Sequence, residues 1–237
     1  EAMRIDLNCD MGEGMPNDAA LMPFISSANI ACGFHAGDEY TMKSTVKLCK
    51  DFGVRIGAHP SFPDRANFGR TMMEMSPEEI YKMIREQIQV LHKHASALGE
   101  KIHHVKPHGA FYNQAAKDLN LARAIAQAVK DLGRDVILYG LASSCFVEAT
   151  KELGVPLWQE VFADRRYTSE GYLVPRTQKN ALIKSEDEAA DQALRMARDG
   201  EVLTVDGSIV KVQADTLCIH GDSPSALDFV KKIKPLL

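Results

Sequence analysis

Short apolar runs recur from one end of this chain to the other, and amphipathic stretches fill the intervals between them. The runs are Arg4–Cys9, Ala28–Phe34, Val54–His59, His103–Pro107, Val136–Leu141, Leu157–Phe162 and Leu217–His220. Each is bounded by Gly, Pro, Asn or Asp, as a buried strand is. The intervals read as helices. Ser76-Pro77-Glu78-Glu79 opens one with a capping box and a proline in the first turn. Ile80, Ile84, Ile88, Leu91, Ala95 and Leu98 then share one face, and Gly99 ends it. Asp38 caps a helix to about Phe52, Leu119–Leu132 is stopped by Gly133, Ser185 with Glu188 opens another capping box, and Pro224 opens the last helix.

Strand and helix alternating over a whole chain predict parallel strands joined by crossover helices. The expected fold is therefore a single α/β domain over residues 1–237, an irregular (β/α) barrel of about seven parallel strands. An open doubly wound sheet is the competing arrangement. Two segments break the rhythm: Tyr167–Arg176, a loop or hairpin around Glu170-Gly171, and Glu201–Gln213, a hairpin turning at Asp206-Gly207.

The net charge of −4 argues against nucleic acid or an anionic membrane as the main partner, since both require a basic footprint. No run is long and apolar enough to span a bilayer, and no basic-then-apolar leader opens the chain. Glu1-Ala2 ahead of Met3 reads as a cloning remnant. There are five cysteines and no Cys-x-x-Cys pair; Cys9, Cys32 and Cys218 sit inside apolar runs and read as buried thiols. A cytoplasmic protein is the expectation.

The polar residues on the strands carry the functional signal. Residues two apart on a strand share a face, so Asp6, Asn8 and Asp10 face one way and Ile5, Leu7 and Cys9 the other. A parallel strand covered by helices has no use for such a face unless it lines a polar cavity or a solvated edge. Burying carboxylates there costs several kcal/mol each unless they are paired or ligating. Other strands repeat the pattern: Arg55, Gly57 and His59; His104, Lys106 and His108; Trp158, Glu160, Phe162 and Asp164; Cys218, His220 and Asp222. His35 closes the second run. Ligands of parallel α/β folds bind at the carboxyl ends of the strands, where these residues fall. His92 and His94 read as surface residues, Ser61 and Ser223 as turn or cap residues, and Met72, Met73 and Met75 as a lid or packing cluster. The glycines beside the polar residues read as tight turns; Gly12-x-Gly14 is too short for a phosphate fingerprint, and there is no Walker sequence or Gly-x-Ser-x-Gly elbow.

Several blocks of this sequence resemble the LamB/YcsF family, the A subunit of bacterial 5-oxoprolinase. They are Asp6–Gly14, Ala28–Asp38, Gly57–Asp64, Val105–Ala110, Glu160–Tyr167 and Ile219–Asp222. The resemblance runs in order over nearly the whole chain. It implies a barrel like that of the polysaccharide deacetylases and an ATP-dependent opening of 5-oxo-L-proline to L-glutamate together with partner subunits B and C. ATP would be a co-substrate, with Mg2+ able to accompany it. On that reading Asp10 or Glu160 serves as base, Lys106 and Arg165 stabilise phosphate or oxyanion charge, and His59, His108 and His220 share proton transfer or ligand contacts. Asp6, Asn8, His35, Asp38 and Asp222 join Arg165 as expected substrate contacts. A metal-free acid/base site is the first reading. The related deacetylases imply the alternative, a divalent ion on Asp10, His59 and His108. Two further functions compete: a metal-dependent amidase or sugar deacetylase on the same scaffold, and a non-catalytic binding subunit.

Overall fold

A computed structural model describes residues 5–222 and 224–237. The expectations placed on Glu1-Ala2, Met3, Arg4 and Ser223 lie outside the described residues. All seven expected strands form: β1 (Asp6–Met11), β2 (Ser27–Ala31), β3 (Arg55–His59), β4 (His104–Val105), β5 (Ile137–Leu141), β6 (Leu157–Phe162) and, after a hairpin, β9 (Thr216–Ile219). Their order is that of the chain. β9 pairs in parallel with both β6 and β1, which closes the barrel and rules out the open sheet. The hairpin is β7 (Glu201–Leu203) against β8 (Ile209–Lys211), antiparallel as expected. Tyr167 and Leu173 form an antiparallel bridge around Glu170-Gly171.

Eight α-helices surround the barrel among the described residues: α1 (Asp18–Leu21), α2 (Glu39–Phe52), α3 (Pro77–Ala97), α4 (Gly109–Lys117), α5 (Leu119–Lys130), α6 (Cys145–Leu153), α7 (Glu186–Asp199) and α8 (Ala226–Ile233). The Ser76–Glu79 capping box is complete. The face expected on α3 buries Ile80, Ile84, Ile88, Leu91 and Ala95. Each such isoleucine or leucine contributes about 1.5–3 kcal/mol of apolar burial. Asp38 caps α2 by accepting from the Thr41 amide. The second capping box is half made: Ser185 accepts from the Glu188 amide, but the Glu188 carboxylate turns outward to Arg166. Pro224 lies before α8 rather than within its first turn. No described helix is long and apolar enough to cross a membrane. All five cysteines are free thiols, and Cys9, Cys32 and Cys218 are buried as expected.

Because the strands alternate, the inward residues stack in layers along the barrel axis. The floor is built on Asp6. Its Oδ1 accepts from Ser27 Oγ (2.7 Å) and Arg55 Nη1 (2.9 Å), and its Oδ2 from Thr216 Oγ1 (2.7 Å) and Tyr139 Oη (3.3 Å). His104 stacks on Tyr139 with ring centroids 3.9 Å apart, Tyr139 stacks on Trp158, and Arg55 covers Trp158. This arrangement seals the amino-terminal end of the barrel.

Candidate active site

Above the floor, Asn8 and Asn29 form a fully buried middle layer. Asn29 Nδ2 donates to Asn8 Oδ1 (2.8 Å) and Asp10 Oδ1 (3.0 Å), while Asn8 Nδ2 donates to Glu160 Oε2 (2.9 Å) and Thr216 Oγ1 (2.6 Å). Lys106 stands on this layer. Its Nζ pairs with Glu160 Oε2 (2.8 Å) and donates to Asn8 Oδ1 (3.2 Å), Asp10 Oδ1 (3.3 Å) and Cys218 Sγ (3.4 Å). Burial opposes the lysine charge, but Asp10, Cys218 and Glu160 outweigh it and hold the ammonium well above its ordinary pKa. Lys106 is a fixed cation at the foot of the barrel mouth.

Beside it four side chains converge: Glu13, His35, His59 and His108, with ligand atoms all within 4.8 Å of one another. The backbone orients two of the rings. His59 Nδ1 lies 2.6 Å from the Lys106 carbonyl and His108 Nε2 lies 2.7 Å from the Phe68 carbonyl. Carbonyls only accept, so each of these nitrogens carries a proton. The remaining nitrogens, His59 Nε2 and His108 Nδ1, then face each other at 2.9 Å. Two lone pairs cannot share that distance without a proton or a cation between them. Asp10 Oδ2 lies 3.5 Å from His59 Nε2. Burial disfavours the imidazolium of His59, but Asp10 and then Glu13 outweigh it and raise its pKa. Asp10 itself is opposed by burial, yet His59 and Lys106 hold its carboxyl well below the usual range.

Glu13 and His35 complete the group. His35 Nε2 lies 2.6 Å from Glu13 Oε2, and His35 stacks on His108 with centroids 3.7 Å apart. Burial, reinforced by Asp10, pushes the Glu13 carboxyl up to about 8. Burial and the neighbouring histidines keep His35 neutral and push His108 down to about 3. His35 Nδ1 is buried without a hydrogen-bond partner among the described residues. The turns that deliver these residues need glycine. A Cβ on Gly37, at φ +81°, would stand 2.8 Å from the Gly12 carbonyl, and one on Gly69, at φ +69°, would press into Ser61 Oγ and His108.

The segment after β3 folds back over the histidines. Ser61 is buried in the link after β3 and is neither turn nor cap; its amide and carbonyl are both held by Gln87 of α3. Phe68 adopts φ 56° and lays its ring edge-on to His35 and His108, each at 5.1 Å. A left-handed phenylalanine is uncommon and marks a segment held by its surroundings. Met73 and Met75 pack against the core, whereas Met72 is exposed.

Most of the expected site residues gather at this end of the barrel, with three corrections. Asp6 is not a mouth residue; its place on β1 puts it in the floor, where four partners occupy its oxygens. Asp38 is exposed and caps α2, so its carboxylate is committed to a backbone amide. The alternative metal set of Asp10, His59 and His108 differs from the group brought within ligating reach, which among the described residues is Glu13, His35, His59 and His108, with Asp10 bridging His59 to Lys106. Glu160 lies sealed under Lys106, its side chain fully buried, whereas the Asp10 side chain is 22% exposed. His220 is not part of the histidine cluster: its Nδ1 lies 2.8 Å from Asp164, while Asp222 lies near Arg70. Glu13 escaped the sequence reading. Its signal was present: an acid directly after a polar strand face, bracketed by Gly12 and Gly14, both with positive φ. His92 is exposed as expected, while His94 is half-buried and faces Glu39.

A closed parallel barrel whose titratable side chains crowd its carboxyl rim is a (β/α)-barrel protein of the kind that works from that rim. The chain belongs to the LamB/YcsF family, whose model matches residues 5–237. It is 53% identical to the A subunit of 5-oxoprolinase from Bordetella pertussis over 97% of this chain and 93% of that protein. The crystal structure of the lactam utilization protein from Thermus thermophilus is 42% identical, with a TM-score of 0.90 over 98% of this chain and 95% of that one. A family 4 carbohydrate esterase from Streptomyces lividans, 12% identical, shares the fold with a TM-score of 0.50 over 98% of this chain and 85% of that one.

Proposed function

We propose that this chain is the A subunit of a 5-oxoprolinase and that its barrel mouth opens the lactam of 5-oxo-L-proline to L-glutamate, in an ATP-dependent reaction completed with partner subunits B and C. The relatives' names support the substrate and the assembly. The observation that carries the chemistry is the buried Lys106 cation beside the Asp10–His59 pair.

Lactam hydrolysis adds one water to the carbonyl carbon, breaks the C–N bond and delivers a proton to the nitrogen. A planar five-membered amide is a poor electrophile. Transfer of a phosphoryl group from ATP to its oxygen, releasing ADP, makes a better one: water adds to the carbon, the C–N bond breaks to leave a glutamyl phosphate, and a second water releases inorganic phosphate. Lys106 stabilises negative charge on that oxygen from a fixed, water-poor position. Asp10, partly exposed and paired with His59, takes the proton of the attacking water. Glu160 is a positioning residue that holds Lys106 and Asn8.

The facing lone pairs of His59 and His108, the adjacent Glu13 carboxyl and the orphaned His35 Nδ1 fit a divalent ion. Ligands at about 2.0–2.2 Å from a metal stand roughly 3–4 Å from one another; here the His59–His108 nitrogens are 2.9 Å apart, His108 Nδ1 is 3.7 Å from Glu13 Oε2, and the whole set lies within 4.8 Å. Such an ion, held by Glu13, His35, His59 and His108, would supply Lewis acidity beside Lys106. Elemental analysis of the purified chain, and a melting shift on adding or chelating Zn2+ or Mn2+, tests the ion directly. This cluster also supports a second reading, metal-dependent amide hydrolysis without ATP. Assaying 5-oxoproline conversion with the chain alone, then with ATP, then with the partners, separates the two. Turnover only in the complete mixture supports the proposal. Turnover by the chain without ATP supports the second reading, and full complex activity with a mouth mutant leaves only a binding role.

A further inference from the structure

The barrel mouth carries positive charge, running from beside the histidine cluster to His220, that the lactam chemistry above does not use. Arg165 follows β6 and is 4% exposed. Its side chain's one hydrogen bond among the described residues runs from Nη2 to the Val174 carbonyl (2.9 Å), and its buried Nε has no partner. Asp164 next to it is already engaged by His220. Asp164 offsets part of the Arg165 charge but accepts no hydrogen bond from it among the described residues, and a buried guanidinium nitrogen without an acceptor is costly and is kept where a ligand completes it.

Two exposed arginines accompany it. Arg176 Nη2 lies 3.4 Å from His220 Nε2, and the Arg70 guanidinium lies 5.1 Å from the centre of the Phe68 ring. Burial and then Arg176 depress the Arg165 guanidinium to about 10, and the same two causes lower Arg70, so Arg176 is close enough to repel both. Contacts lead from this arc to both halves of the site. Arg70 rests on Phe68, which touches His35 and His108. Arg176 meets His220, His220 stacks on Phe162, and the Lys106 Nζ lies 5.5 Å from the Phe162 ring.

We propose that Arg70, Arg165 and Arg176 form an oxyanion-binding arc over the barrel mouth, and that it receives the carboxylate of the substrate while Lys106 faces the lactam oxygen. The carboxylate assignment rests on the 5-oxoproline reading; the arc itself does not. Guanidinium forks match the planar geometry of a carboxylate. Asp164 offsets part of the charge of Arg165 and Arg176, and Asp222 and Glu13 part of that of Arg70, so the arc suits a singly charged anion better than a polyanion. The arc then sets the orientation of a small ring whose own polar groups are few.

The test is calorimetric titration of the full chain, alone and with its partners, using 5-oxo-L-proline, the carboxylate-free 2-pyrrolidinone, acetate and inorganic phosphate. Wild-type protein is expected to bind 5-oxoproline at least about tenfold more tightly than 2-pyrrolidinone, the worth of one charged hydrogen bond. Arg165→Gln and Arg176→Gln should abolish that difference. Arg165 is buried, so its variant is checked by melting; Arg176 and Arg70 are exposed, and Arg176→Gln and Arg70→Gln carry the test if Arg165→Gln fails to fold. Equal binding of the two lactams by wild type, or discrimination that survives in the arginine variants, overturns the carboxylate assignment while leaving the lactam site standing. Acetate binding lost in the variants, with neither lactam bound, upholds the arc and sinks the 5-oxoproline reading. Phosphate bound in preference to acetate overturns the carboxylate in favour of a phosphoryl group. Binding of none of the four overturns the arc.

Discussion

Asp6 and Asp10 share one face of β1, and they do opposite work. Asp6, in the floor, accepts from Ser27, Arg55, Thr216 and Tyr139, and the stack of His104, Tyr139 and Trp158 closes the barrel around it. Asp10, at the mouth, is partly exposed and shares its two oxygens among Lys106, Asn29 and His59. The floor is a saturated network that rigidifies the barrel. The mouth is unsaturated: His35 Nδ1 and Arg165 Nε have no hydrogen-bond partner among the described residues. Buried polar atoms left open at one end and closed at the other mark the end that awaits a ligand.

The largest expected effect falls at the mouth. Asp10→Asn and His59→Ala should each lower turnover by the assembled enzyme by about 100-fold or more, with little change in melting temperature. Near-normal turnover in both would remove the site from the mouth. The floor should respond the other way. Asp6→Ala leaves Arg55, Ser27 and Thr216 without their acceptor and should cost about 3–5 kcal/mol in urea unfolding, with turnover per folded molecule retained. A loss of turnover without a loss of stability would erase the distinction between the two ends. Gly57→Ala probes the boundary between them. Its Cβ would stand 2.0 Å from His104 Nε2, and the overpacking should cost about 1–3 kcal/mol. An unchanged unfolding midpoint would show that His104 can move aside freely.

The smallest effect is a pH dependence of the floor. Burial, reinforced by His103 and then Lys106, holds His104 neutral, well below its ordinary 6.5. The unfolded chain binds a proton below 6.5 that the folded floor refuses. Its contribution is therefore complete above pH 6.5 and declines as pH falls, by at most about 1.4 kcal/mol per unit. Unfolding midpoints of wild type and His104→Gln should converge as pH falls from about 7.5 to about 5. Parallel curves would remove His104 from the account.

The strands were legible because each is a short apolar run between breakers, and the helices where a cap announced them, as at Asp38 and Ser76. Three helices went unread, the four-residue α1 among them. α4 begins directly after His108 with no side-chain cap, while Ser144 does cap α6 by accepting from the Phe146 amide. The site was legible as a set of strand-end residues. Glu13 was not, because it lies just beyond its strand and acquires meaning only beside His35 and His108.

Alternation along β1 is a property of local covalent geometry, so the sequence by itself determined that Asp6, Asn8 and Asp10 point to one side. Which of them is sealed and which is open depends on partners brought in from other strands. Ser27, Arg55, Tyr139 and Thr216 meet Asp6 only once β9 has paired with β1 and closed the ring. Local geometry chose the face; barrel closure, through hydrogen bonds between residues distant in the chain, decided which end became a floor and which a mouth.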